Sequence, residues 1–156
     1  MGTSGLDNCA NALQDDYEIA LIRHANIVAS YAHEQVMAVA TQASNEQELS
    51  ATFKMHCEAN GAKEMAYECI CAGGPSASHL HYHWANKPLT GKLNLLLDAG
   101  CEYKTYCSDI TRTFPLSKDG KFTKESKEIY SLVLKMQSEC FKLIKAGQLW
   151  ETIHLR

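Results

Sequence analysis

Two acidic residues stand out because their neighbours are mostly apolar. Asp98 follows Leu95-Leu96-Leu97, and Asp109 precedes Ile110 and a β-branched and aromatic run that ends at Phe114. The two arms share a centre near residues 103–104. The pattern therefore predicts an antiparallel hairpin with its tip between 101 and 106. Pairing about that centre sets Asp98 across from Asp109 on one face. Facing carboxylates repel unless a proton or a cation lies between them. Hard divalent ions suit such oxygen ligands. The competing reading is a pair of turn-side aspartates with no ligand.

A second cluster is His79, His81 and His83. On an extended strand, alternate residues share a face, and three imidazoles on one face have the donors of a zinc site. The bland alternative is a polar edge beside Tyr82 and Trp84. His24, His33 and His56 fall in helical patterns and read as surface or cap residues. Other chemistries find no support. Gly73-Gly74-Pro75-Ser76 lacks the Lys-Ser/Thr of a phosphate loop. No Gly-x-Ser-x-Gly elbow occurs, and no Ser or Cys shows a nucleophile–base pattern.

The elements that must hold these residues are legible. Residues 1–14 are small and polar and read as a disordered tip; one domain is expected over 15–156. Asp15 and Glu18 form a capping-box pattern. Ile22, Ala25, Ala29, Ala32, Val36 and Val39 then give one helical face ending near Gln42. Ser44 with Gln47 opens a second helix through Leu49, Phe53 and Cys57, and Gly61 stops it. Residues 66–71 read as a short strand broken by Gly73-Gly74-Pro75, and 80–84 as a strand or extended loop. Beyond the hairpin, Thr123 caps a third helix with Ile129, Val133, Met136, Cys140 and Ile144 on one face, ending at Gly147. Residues 149–154 read as the start of a fourth.

Composition narrows the class. The chain has 156 residues, 46% apolar and 21% charged, which suits one globular domain. Fifteen basic and 18 acidic residues give a net charge of −3. No basic stripe is present, which argues against nucleic acid as a partner. No run approaches the ~18 apolar residues of a membrane helix, and no signal-peptide pattern opens the chain. The seven cysteines are odd in number and form no Cys-x-x-Cys, so they read as reduced thiols of a cytoplasmic protein.

Leu96-Leu97-Asp98-Ala99-Gly100-Cys101-Glu102-Tyr103, followed by Tyr106-Cys107-Ser108-Asp109-Ile110-Thr111-Arg112-Thr113-Phe114-Pro115, resembles the metal-binding hairpin of proline-specific metallopeptidases. These are the Xaa-Pro aminopeptidases and Xaa-Pro dipeptidases (prolidases). Glu18 to Arg23 with Ala25-Asn26 is similar to the family's opening helix. Leu80-His81-Tyr82, Gly120-Lys121-Phe122-Thr123 and the helix from Ile129-Tyr130 to Met136-Gln137 fit as well. The resemblance runs from about residue 15 to the end.

That resemblance implies an α+β chain with a truncated pita-bread (creatinase/aminopeptidase) fold, an antiparallel sheet with helices packed on one face. It implies that Asp98 and Asp109 are metal ligands in a dimetal site, manganese first, with cobalt or zinc as alternatives. It puts Thr111 behind the ligands in support. It makes His81 the catalytic residue that faces the substrate, a peptide with proline at its second position. Two such ions ~3.5–4 Å apart share a hydroxide and polarise the carbonyl under attack. His79 and His83 receive no family role.

The departures also shape the expectation. The family's remaining ligands, a His and two Glu, come from later strands that this chain does not contain. The Asn of the usual Ser-Gly-x-Asn is missing at Gly73-Gly74-Pro75-Ser76, and the usual Asn-Asp is shifted to Ala85-Asn86. Metal binding is therefore expected to be weak or partial, and the isolated chain inactive. The sheet face left open is expected to be covered by a second copy or a partner. The alternatives are a non-catalytic binding module derived from the family and a small His-ligated metalloprotein.

Overall fold

The structure, a computed structural model, describes residues 14–155. The tip expected over 1–14 lies outside these residues apart from Gln14. The chain divides into two compact units between Gly120 and Lys121.

The first unit opens with helix α1, Asp16–Val39. Its start is fixed by the reciprocal cap: Glu18 N–H donates to Asp15 at 2.8 Å, and Asp15 N–H donates to Glu18 at 2.7 Å. The buried stripe is Leu21, Ala25, Val28, Ala29, Ala32, His33 and Val36. It begins one residue before the expected Ile22, and Val39 falls off it. Three of its members are alanines, so the sheet can approach the helix closely. Helix α2 spans Glu46–Ala59 and buries Leu49, Phe53 and Cys57. Its cap is Asn45, one residue later than the Ser44 expectation; Asn45 accepts from Glu48 N–H at 3.0 Å.

Among the described residues six strands form two three-stranded antiparallel sheets. One has the order β2-β3-β6, with β2 Ile70–Gly73, β3 Asn94–Ala99 and β6 Ile110–Pro115. The other has the order β1-β4-β5, with β1 Glu64–Met65, β4 Cys101–Tyr103 and β5 Tyr106–Cys107. Strands β3 to β6 are the two arms of the predicted hairpin. Its turn is Lys104-Thr105, both with positive φ (50° and 72°), which matches the right-handed twist of the flanking strands. The tip is tied to α1, because Tyr106 donates its hydroxyl to Glu18 at 2.6 Å and Tyr103 packs on His24 with ring centroids 4.2 Å apart.

Strand alternation divides the layers. Leu95, Leu97 and Ala99 are fully buried with Ala29, Ala32, Val36, Leu49, Phe53 and Cys57 in the main core. Asn94, Leu96 and Asp98 take the opposite face. The expected strand over 66–71 begins only at Ile70, and residues 79–86 form a loop rather than a strand. A 3₁₀ turn, Gly74–Ser78, separates β2 from that loop. Cys57, Cys69, Cys71 and Cys101 are buried, whereas Cys107 is exposed.

The second unit holds α3, Lys124–Phe141, and α4, Trp150–His154. Thr123 caps α3 as expected, accepting from Ser126 N–H at 3.2 Å. The helix is shorter than its pattern, so Ile144 lies beyond it, and none of its residues is buried. Among the described residues no helix is long and apolar enough to cross a membrane.

Candidate metal centre

The site sits on the sheet face opposite the one that packs on α1 and α2. Asp98 is paired with Ile70 on one side and with Thr111 on the other. This corrects the expectation that Asp109 lies directly across from it. The turn is centred between 104 and 105, one position later than the arms suggested. Asp109 therefore falls two positions from Asp98's partner, on the diagonal of the same face.

The ladder is interrupted beside Asp109. Ser108 N–H donates to the Cys101 carbonyl at 3.0 Å, and Cys101 N–H donates to the Ser108 hydroxyl, also at 3.0 Å. The strands pinch together there. A Cβ on Gly100 would lie 1.8 Å from the Ser108 carbonyl oxygen and 3.1 Å from the Tyr67 ring. Only glycine fits that approach.

Tyr67 completes the arrangement. Ala66 N–H donates to the Gly100 carbonyl at 3.0 Å, which brings the chain between β1 and β2 alongside the hairpin. The Tyr67 hydroxyl then lies 2.6 Å from Asp98 Oδ1 and 2.9 Å from Asp109 Oδ1. Burial, then its contacts with the two carboxylates, pushes the phenol far above its ordinary range. It stays protonated, and its single hydrogen serves one carboxylate at a time. Among the described residues neither aspartate has an ion-pair partner. Two carboxyl groups thus converge on one phenol oxygen. This donor set fits one edge of a hard divalent cation site, and Asp98 and Asp109 are the residues that would hold the ion.

Sequence reasoning missed Tyr67. It carries no pattern of its own, and its importance follows only from the pairing of Ile70 with Asp98. It also missed His33, which is buried rather than on the surface. His33 Nε2 lies 3.2 Å from the carbonyl oxygen of Ala99, the residue after Asp98. Its place between Ala29 and Val36 on the buried stripe was the available signal.

The three-histidine site does not form. Among the described residues no three His, Cys, Asp or Glu side chains converge on a point. The reason is local: the 79–86 segment is a loop pinned by Tyr82, its inward residue, 1% exposed against Ile70 and Ala72. His81 and His83 stack outside with ring centroids 6.2 Å apart, His79 leans to Tyr82 at 6.3 Å, and His83 lies 3.5 Å from Glu68. Through Tyr82 the loop rests on the Asp98 face of the sheet, and His81 is exposed. Thr111 is exposed beside Asp98, and its carbonyl accepts from Arg112 at 2.8 Å. An open groove of about 520 Å³ continues along this face past Leu96, Asn94 and Thr113, with Pro75 and Lys92 on its walls.

Residues 20–156 match the profile of Metallopeptidase family M24. The chain is 54% identical over 150 residues to the "Probable Xaa-Pro aminopeptidase PEPP" of Fusarium vanettenii, covering 96% of this chain and 31% of that protein. Its fold is similar to the aminopeptidase PepP of Pseudomonas aeruginosa, with a TM-score of 0.83 and 36% identity over 90% of this chain and 31% of that one. It is also similar to the zinc-substituted Escherichia coli aminopeptidase P in complex with product, with a TM-score of 0.77 and 33% identity over 85% of this chain and 30% of that one. The chain spans about a third of the length of these relatives.

Proposed function

The chain belongs to metallopeptidase family M24, and from that premise we propose that its hairpin is one side of the metal centre of an Xaa-Pro aminopeptidase. The carrying observation is the convergence of Asp98 and Asp109 on the Tyr67 hydroxyl. The family's name and the zinc-substituted relative support a divalent metal; manganese is our choice, with cobalt and zinc as alternatives. Bound there, the ion supplies Lewis acidity and an acidified water for peptide hydrolysis.

The chain's own residues have separate tasks in this reading. Asp98 and Asp109 provide hard oxygen ligands. Tyr67 holds the two carboxylates at a fixed spacing and offsets part of their repulsion. Thr111 supports Asp98 from the neighbouring strand. His81 faces the substrate from the rim of the loop. The substrate is a peptide with proline in second place, lying on the open face of the sheet. Two carboxylates alone bind a divalent cation weakly, so metal affinity and activity of this chain by itself are low. A second copy or another polypeptide over the open face would complete the site. Reduced cysteines suit a cytoplasmic setting.

Calorimetric titration with manganese tests this reading. The chain should take up manganese weakly, and Asp109→Ala should remove the binding. Unchanged affinity in that variant would show that the hairpin is not the metal site. Xaa-Pro peptide hydrolysis, followed in parallel with added manganese, tests the substrate assignment.

A further inference from the structure

We propose that Glu46 is a positioning residue for His81, holding the loop that carries it through Tyr82. This rests on the reading of His81 as the residue that faces the substrate. Glu46 is the first residue of α2 and is fully buried. A carboxylate without water or a cation is costly unless donors surround it. Glu46 has three. Gly73 N–H reaches Oε1 at 2.8 Å, and the Tyr82 hydroxyl and Lys87 N–H reach Oε2 at 2.7 and 2.9 Å.

These donors come from both ends and the middle of one segment. Gly73 ends β2, Lys87 ends the loop, and Tyr82 is the only buried residue between Ala77 and Ala85. A backbone bond from Glu46 N–H to the Lys87 carbonyl, 3.0 Å, reinforces the far end. Helix capping does not explain the carboxylate, because Asn45 already accepts the free N–H of Glu48. The group points away from its own helix and into the loop. A Cβ on Gly73 would strike Leu89 at 2.8 Å and crowd Glu46 Oε1 at 3.4 Å, so the close approach is built into the loop as well.

The anchor also sets an orientation. Tyr82 is buried while its neighbours His81 and His83 are both exposed, and their rings stack with centroids 6.2 Å apart. Burial, then the Glu46 carboxylate, raises the Tyr82 phenol above its ordinary value, so it stays a donor. If the anchor is removed, nothing else buried between Ala77 and Ala85 fixes which way the imidazoles face.

Two variants test the proposal in the intact chain. Tyr82→Phe removes one hydroxyl and keeps the ring packed on Ile70 and Ala72. Glu46→Gln presents an N–H where at least one donor now approaches. The first readouts are the His81–His83 ring NOE and amide hydrogen exchange. In both variants the NOE should weaken or vanish, and Lys87 should exchange roughly tenfold faster or more. Amides of α1 and of the β3–β6 hairpin should not change. The second readout is manganese-dependent Xaa-Pro hydrolysis, where kcat should fall at least about tenfold with KM nearly unchanged.

If the wild-type chain shows no measurable turnover, that agrees with the low activity expected of a site with two carboxylate ligands. The NMR readouts still decide the role of Glu46. An unchanged NOE and unchanged exchange in Tyr82→Phe would overturn the proposal, and this holds even if Glu46→Gln fails to fold.

Discussion

His33 Nε2 lies 3.2 Å from the carbonyl oxygen of Ala99, so the long first helix touches the β3–β6 hairpin one residue beyond Asp98. That bond makes Nε2 the protonated nitrogen of a neutral ring. The other nitrogen, Nδ1, is buried with no hydrogen-bond partner among the described residues. Charging this ring would place an imidazolium in the core.

This geometry predicts acid sensitivity. Burial lowers the pKa of His33 below its usual 6.5; the Ala99 carbonyl opposes that and Arg112 adds to it. The unfolded chain therefore takes up a proton near pH 6.5 that the folded chain refuses. Stability is fully present above that pH and falls as the pH drops toward the lowered folded value. The limiting slope is about 1.4 kcal/mol per pH unit. Urea unfolding at pH 7.5 and 5.5 should show this loss, and His33→Phe should flatten it. An equal slope in the variant would refute the assignment.

Gly100→Ala should be costly. Its Cβ would meet the Ser108 carbonyl at 1.8 Å, and backbone cannot swing aside as a side chain does. A loss of about 3 kcal/mol is expected, at the upper end for overpacking. Manganese binding should be lost with it, since the same pinch sets Asp109. Chemical denaturation and calorimetry on one preparation check both.

Tyr67→Phe separates the carboxylates from their shared donor. Without metal, the variant should lose roughly 1.5–3 kcal/mol, the range for a hydrogen bond to a charged acceptor. Added manganese should reduce that difference, because the cation takes over the neutralising role. Thermal unfolding with and without manganese measures it. A deficit that manganese leaves unchanged would mean that the phenol serves only packing.

The cysteines should divide by burial. Cys107 is exposed, whereas Cys57, Cys69, Cys71 and Cys101 are buried. Native-state alkylation followed by peptide mass spectrometry should label Cys107 and spare those four until denaturant is added. Labelling of Cys101 as fast as Cys107 would contradict the packing of β4 against α1.

Several features of the candidate site were legible because they are local. The apolar arms and the β-branched run specified the hairpin, and the Asp15–Glu18 pattern specified the start of α1. The positions of Asp98 and Asp109 specified two carboxylates on one face. Even the error in register was benign. Moving the turn centre by one residue moves the partner by two, and period-two alternation keeps Asp109 on the same face.

The remainder depends on contacts between residues far apart in the chain. Tyr67 matters only because β2 pairs with β3 and delivers its hydroxyl to both aspartates. His33 is a core residue only because the hairpin lies over that side of α1, and Glu46 an anchor only because the loop to Lys87 folds back onto it. The three-histidine site failed for the same reason, since its loop follows one buried tyrosine rather than strand alternation. By itself the sequence determined the hairpin, its acidic pair and the helices beside them, because turn chemistry, capping and apolar periodicity act over a few residues. Only the tertiary structure decided which polar groups meet, because strand pairing alone brings the Tyr67 hydroxyl against both carboxylates, and that convergence turns the pair of aspartates into a candidate metal site.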